Sequence, residues 1–349
     1  MPTRLFALLF LAAALFSNCK NDRRPRLKIA VEQTDLRSEA GEKSQAISIL
    51  KRGQTVRDAG EISPFFSEIE LDGHPFLEPW VKVETENGTV GWVFAAAVRE
   101  AENHANWLIS RRLQSFFGKP LATRIASFSE KNERISTAAD FAENWRTGQA
   151  VADSMNQILP QKATANDAGE LPDFFWLNHA MPCFLTQKVA EGSAFHLFHD
   201  YRFWLKKAVA TPQPDDDAFI QTCLAAFPTD SIESFFPSWK IQLTDYESAS
   251  MLGSGSHLRM LESIANSLKI SKLFQKELAV FKEALLHDIA SREVEYWFPA
   301  PKIVEELQAI RAADFPFFSN EDQILLDERR RQFENPSANG LRVNRRAGE

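Results

Sequence analysis

The chain has 349 residues, 44% of them hydrophobic and 25% charged, which fits a soluble multidomain protein with room for a sizeable core. The net charge of −7 argues against a nucleic-acid-binding surface over the whole chain. Beyond the first 18 residues no apolar run is long enough to span a bilayer.

Chain order begins with a targeting pattern. Arg4 is followed by the uncharged stretch Leu5 to Phe16, the length of a signal-peptide core and short for a membrane span. Ser17, Asn18 and Cys19 end it, and the polar run from Lys20 to Arg26 reads as a solvated tether. The segment Leu15-Phe16-Ser17-Asn18-Cys19 resembles a relaxed bacterial lipobox, with Phe16 and Asn18 at places where the strict box prefers Leu and Gly or Ala. The resemblance implies export, cleavage after residue 18 and attachment of a lipid to the Cys19 sulfur. It implies a cell-envelope location, periplasmic or surface-exposed, with a membrane as partner through the lipid. Cys183 and Cys223 are then left either to pair, a bridge worth about 4 kcal/mol in the loop-entropy account, or to lie as two buried thiols.

From Leu27 to about residue 100 short strands alternate with turns: Lys28–Glu32, Ala46–Leu50, Thr55–Arg57, Trp80–Glu84 and Val90–Val93. Asn87-Gly88 between the last two predicts a hairpin with a primed turn. Residues 59–79 are either an extra hairpin or an ordered loop. Ile49-Leu50-Lys51-Arg52-Gly53, Trp80-Val81-Lys82-Val83 and above all Asn87-Gly88-Thr89-Val90-Gly91-Trp92-Val93 resemble the bacterial SH3 family, whose fold is a small β-barrel. That resemblance implies contact with cell-wall peptide or a protein partner, through a groove formed by Leu36, Arg37, Trp80 and Trp92. The competing reading makes Trp80 and Trp92 core residues and the domain a spacer. Gly91 is expected at a tight strand bend.

From residue 102 to 333 the spacing turns helical. Predicted helices are Asn106–Phe117, ended by Gly118-Lys119-Pro120, Thr137–Leu159 with Ser136 or Thr137 as cap, Ala190–Val209, and Asp215–Phe227. Ser256–Leu268, Ser271–Ser291, Pro301–Ala312 and Asn320–Phe333 follow, the second with a Phe274, Leu278, Phe281, Leu285, Ile289 stripe. Aromatic doublets at Phe174-Phe175, Phe235-Phe236 and Phe317-Phe318 read as interhelical loops pinned by buried rings, or as an exposed partner groove. Residues 334–349 are Arg-rich and read as a disordered basic tail. The expected fold class is multidomain α+β: leader 1–18, tether 19–26, SH3-like small β-barrel 27–100, α-helical domain 102–333 and tail.

Three constellations bear on chemistry. Cys183 with His196 or His199 and Asp200 would make a thiol hydrolase, but Met181-Pro182-Cys183-Phe184 does not match the nucleophile motif of wall-cutting cysteine peptidases. His179, His196, His199 and Asp200 are a weak metal set, with His196 and His199 expected on one helix face. Glu233-Ser234 is similar to the acidic start of a transglycosylase motif without its downstream block. Gly253-Ser254-Gly255 lacks the lysine of a phosphate loop and reads as a flexible turn before a Ser256 cap. No catalytic residue, metal or cofactor is assigned. The expected function is a non-enzymatic envelope lipoprotein that binds or scaffolds, with peptidoglycan or an envelope protein as partner and no nucleic acid; the alternative is a cell-wall hydrolase with the helical domain catalytic.

Overall fold

A computed structural model describes residues 24–162, 174–189, 194–228, 236–244 and 247–343. The leader, Cys19, Glu233-Ser234 and Phe235 lie outside the described residues. The fold is mixed α+β, and the chain divides into two units, one up to Ala122 and one from Thr123. The division falls later than the expected 102 because the first half of a long helix packs on the N-terminal sheet.

The N-terminal unit is one antiparallel sheet of β1 (Arg26–Ile29), β2 (Gln33–Arg37), β3 (Ala46–Lys51), β4 (Thr55–Leu71), β5 (His74–Thr85), β6 (Val90–Phe94) and β7 (Val98–Glu100). The spatial order is β3-β2-β6-β5-β4-β1-β7, so β3 and β7 are edges and the expected barrel is not closed. Residues 59–79 form the extra hairpin: β4 and β5 pair from Val56↔Thr85 to Leu71↔His74. Two register shifts, between Asp58 and Ile62 and between Ile62 and Phe66, absorb Gly60 and Pro64, residues that a regular ladder excludes. At the second shift the Ser63 hydroxyl replaces the ladder, accepting from Trp80 N at 2.9 Å and donating to Phe65 O at 2.6 Å.

The core of this unit holds Leu27, Ile29, Leu36, Val56, Trp80, Val81, Val83, Val93 and Phe94. The expected primed turn is instead a three-residue loop: Thr85 N donates to Thr89 O, Gly88 N donates to Thr85 O, and Gly88 takes φ 83°. Gly91 is required by a close approach, since a Cβ there would lie 2.7 Å from Arg37 O. Parity then turns Val93 inward and leaves Trp92 half-buried, with Lys82 Nζ 5.8 Å from its ring centroid, so Trp92 does not fill the core.

Helix α1 (His104–Glu133) is broken at Gly118 (φ 78°, ψ 157°), two residues before Pro120. Its first half carries Trp107, Arg111 and Arg112 to two buried carboxylates. Asp58 accepts from Trp107 Nε1 at 2.7 Å and from Gly60 N at 2.7 Å, with an Arg111 nitrogen also at 2.7 Å. Glu78 takes a two-pronged bond from Arg112.

The C-terminal unit contains α2 (Ala138–Lys162), α3 (Trp176–Ala180), β8 (Phe184–Val189), β9 (Ala194–His199), α4 (Tyr201–Ala208) and α5 (Asp215–Ala226). β10 (Lys240–Gln242), β11 (Ser248–Ser250), α6 (Ser256–Ile270), α7 (Gln275–Ala290), β12 (Glu295–Tyr296), α8 (Ala300–Ala312), α9 (Asn320–Phe333) and β13 (Arg342–Val343) follow. Thr137 caps α2 reciprocally: its hydroxyl accepts from Asp140 N, and the Asp140 carboxylate accepts from Thr137 N, both at 3.1 Å. The buried face of α2 is the one its spacing predicts, with Phe141, Trp145, Ala152, Met155 and Leu159 inside.

Two expectations fail in this unit. The helix predicted over 190–209 is strand β9, the N-cap Asp200 and the shorter α4. Phe195 and Leu197 are buried with β-period alternation, which overrides a pattern that also suited a helix. The unit also carries a sheet in the order β10-β11-β12-β13, whose last strand lies in the expected disordered tail. Arg342 and Val343 pair in parallel with Glu295 and Tyr296, and Leu341 is buried, so an apolar anchor outweighs the polar composition around it. Of the two readings open for Cys183 and Cys223, the structure has two separate buried thiols.

Candidate ligand cleft

The C-terminal unit contains a cleft of about 690 Å³ formed by α2, β9, α4, α5, α7 and the segment leading into β10. Its floor is a set of rings locked to one another. Phe219 stacks on Phe274 at 4.2 Å, Trp145 meets Phe219 edge-on at 5.1 Å, and Trp204 meets both Phe141 and Trp145. Each such pair contributes about 0.5–1.5 kcal/mol beyond the area it buries, so the floor is rigid. Toward the opening stand the half-buried Tyr201, Phe227 and Phe281, with Tyr201 and Phe227 stacked at 5.7 Å.

One wall is a polar stripe on α2: Arg146, Gln149, Asp153 and Asn156 recur at helical spacing on one face. Most of its hydrogen-bonding capacity is used inside the protein. Arg146 holds Glu277 through two nitrogens and the Leu273 carbonyl at 2.6 Å. Asn156 pairs with the backbone of Leu197, its Oδ1 accepting from N at 2.9 Å and its Nδ2 donating to O at 3.1 Å. On the far side of the hairpin Asn178 Oδ1 accepts from Thr186 N at 2.8 Å, and Thr186 is the residue paired with Leu197. Both outer edges of the two-stranded sheet thus meet an asparagine side chain at the same register position.

His199 ends β9 with its ring stacked on Trp145 at 4.3 Å. Its Nε2 lies 2.8 Å from Gln149 Oε1, and Gln149 Nε2 donates to Asp153 at 2.9 Å. The carboxylate fixes which end of the amide faces it, so Gln149 presents oxygen to the ring and Nε2 carries the proton. Nδ1 is then an acceptor with no partner among the described residues, sealed from water. Burial holds this imidazole far below its ordinary range, at about 3, and it stays neutral at physiological pH. Tyr201 is pushed well above its ordinary range by burial first and by Cys223 second, so it is a neutral phenol.

The predicted site residues do not converge. Asp200 N donates to Cys183 O at 2.9 Å, which places the two side by side, but the Asp200 carboxylate caps α4 by accepting from Arg202 N and Phe203 N. Cys183 is fully buried and desolvation raises its thiol, the reverse of an activated nucleophile. His196 and His199 lie three apart on β9 and both line the cleft, His196 Nε2 3.1 Å from Asn156 Nδ2 and His199 Nε2 2.8 Å from Gln149 Oε1, while His179 is an exposed residue of the short α3. Among the described residues no group of three His, Cys, Asp or Glu is placed to hold a metal ion. In the N-terminal unit, Leu36 and Trp80 are core residues, and the Trp80 indole donates to Ser67 at 2.9 Å. Of the expected groove only Arg37 and Trp92 keep exposed surface, as cross-strand neighbours.

Gly253-Ser254-Gly255 is pinned, not flexible. The buried Glu306 carboxylate accepts from Gly253 N, Gly255 N at 2.9 Å and Leu258 N at 3.1 Å, filling the anion position at the start of α6. The cap itself is Gly255, with φ 81°, and Ser256 is the first helical residue. Beside it lies a sealed network absent from the sequence reading. His257 Nε2 is 2.9 Å from Asp288 Oδ2, which also accepts from Ser250 Oγ, while Lys240 Nζ stands 3.6 Å from Oδ1. Ser256 Oγ is 3.4 Å from His257 Nδ1, but serine, imidazole and carboxylate are all buried, so the group ties β11, α6 and α7 together.

Comparison of the chain with protein-family models, with curated proteins and with solved structures finds no match.

Proposed function

We propose that this chain is an exported, lipid-anchored protein of the cell envelope that binds and does not catalyse: its C-terminal unit captures a small, largely apolar molecule, and its N-terminal unit is an open SH3-like module that contacts cell wall or an envelope protein. The observation that carries the binding role is the ring-walled cleft, whose size falls in the range of small-molecule sites. Its polar groups are few and mostly satisfied by one another, which suits recognition of an apolar body more than of a sugar, whose many hydroxyls need partners. Support for the anchor is the apolar stretch Leu5 to Phe16 ending near Cys19. No helix of the described residues is long and apolar enough to cross a membrane. Support for the SH3-like module is the Gly91-Trp92-Val93 strand, held against β2 by the close approach at Gly91.

The anchor is tested by mass spectrometry of the cell-derived protein, which should show a new terminus at Cys19 carrying a diacylglycerol mass. An intact leader, or an unmodified sulfur in a freely soluble product, would sink it. The wall-contact role of the N-terminal unit is tested on purified sacculi: retention without lysis in a murein zymogram is expected, and clearing of the gel would replace the binder with a hydrolase.

A further inference from the structure

The cleft has a charge bias that narrows its ligand, an inference that rests on its being a binding site. Its lining carries two carboxylates, Asp153 and Glu277, against one guanidinium, Arg146. Arg146 is paired with Glu277 through Nε and one terminal nitrogen, which also donates to the Leu273 carbonyl, so its charge is balanced inside the protein. Asp153 is different: Oδ1 accepts from Gln149, while the second oxygen of this exposed side chain has no partner among the described residues. Beside it the wall is aromatic, and ring faces attract cations electrostatically. The half-buried Tyr201, Phe227 and Phe281 and the buried Trp145 and Trp239 all line it.

The neighbouring imidazole reinforces this bias. Gln149 is oriented by Asp153 and hands its oxygen to His199 Nε2, so a protonated His199 would gain a second N–H with nothing to receive it. No positive charge therefore develops there near neutral pH to oppose a bound cation. With Arg146 paired to Glu277, the Asp153 carboxylate and the ring walls form a site that is apolar within and negative at its edge.

We infer that the cleft binds an amphipathic organic cation, an aromatic or alkyl ammonium whose apolar body lies among the rings and whose nitrogen faces Asp153, and that it discriminates against carboxylates and phosphates.

Three probes of matched shape test this by calorimetric titration of the full chain at pH 7: 2-phenylethylammonium, neutral 2-phenylethanol and anionic 3-phenylpropionate. The ammonium should bind at least about tenfold tighter than the alcohol and the carboxylate weakest, since a desolvated cation–ring contact and one carboxylate together reach that order. Asp153→Asn should bring the ammonium to within about threefold of the alcohol while leaving the alcohol unchanged. Ala284→Trp, on the exposed side of α7 where it lines the cleft, should abolish binding of all three with the fold retained by circular dichroism. If the alcohol binds and Ala284→Trp blocks it, yet the ammonium is no tighter or Asp153→Asn changes nothing, the cation inference falls and the binding cleft stands. If none of the probes binds at millimolar concentration, or Ala284→Trp leaves binding intact, both fall together.

Discussion

The N-terminal unit and the cleft of the C-terminal unit treat their polar groups in opposite ways. In the N-terminal unit each deeply buried carboxylate meets a guanidinium: Asp58 with Arg111, and Glu78 with Arg112. In the cleft of the C-terminal unit the histidine is buried without a counter-charge and stays neutral, and the rim keeps a carboxylate oxygen with no partner among the described residues. The first arrangement fastens a helix to a sheet and leaves nothing for a ligand. The second leaves acceptor capacity unspent, which a receptive site needs and a purely structural core avoids.

That contrast is most directly broken at Asp58. Asp58→Ala leaves the Arg111 guanidinium and the Trp107 indole buried without their acceptor and should cost about 3–5 kcal/mol, read as a lower urea midpoint with unchanged secondary structure at low urea. A loss under 1 kcal/mol would mean that the pair is no lock. Second in size is Glu306→Ala, which strips three backbone donors of a charged acceptor and should cost about 3 kcal/mol. It also tests whether the C-terminal unit uses the same kind of lock away from its cleft; tolerance of the change would show that it does not.

Acid should expose the neutral histidine. The unfolded chain takes up a proton near pH 6.5, whereas folded His199 refuses it until about pH 3. Stability therefore falls as pH drops through that window, by at most about 1.4 kcal/mol per pH unit from this group. Comparing the wild type with His199→Phe in urea melts at pH 7, 5.5 and 4 should isolate the slope; identical pH dependence would contradict the buried neutral state. The smallest effect is expected from Arg146→Ala. Its pair with Glu277 is solvent-exposed, so its loss should cost under about 1 kcal/mol, and 0.5 M salt should shrink the difference further.

How much of this was legible depended on whether a residue's role is local. The α2 stripe and the Thr137 cap follow from spacing and from side-chain oxygens at a helix start, and both stand where the sequence puts them. The sequence marks Gly91 as a special position through an expected tight bend, whereas the structure requires it because a Cβ would meet the Arg37 carbonyl. The cleft was not visible because its parts are far apart in sequence. Asp153 and His199 are joined only through Gln149, and Phe219, Phe227 and Phe281 read as ordinary core positions until the elements pack. The His196–Asp200 run is compatible with two periods, and the strand, not the helix, carries its histidines, which meet Asn156 and Gln149 of α2 and not one another. The buried pair His257–Asp288 has no local signature at all, since one partner caps nothing and the other is 31 residues away.

The paired asparagines on the β8–β9 hairpin have a consequence for self-association. A ribbon of two strands exposes backbone donors and acceptors on both sides, an invitation to recruit further strands from another molecule. Asn178 and Asn156 fill these positions with amides that imitate a peptide unit yet belong to helices, which cannot extend the ribbon. Replacing Asn156 with leucine would keep the bulk and remove the imitation, and growth of thioflavin-positive fibres by that variant, absent in the parent, would show that one helical side chain is what halts polymerisation.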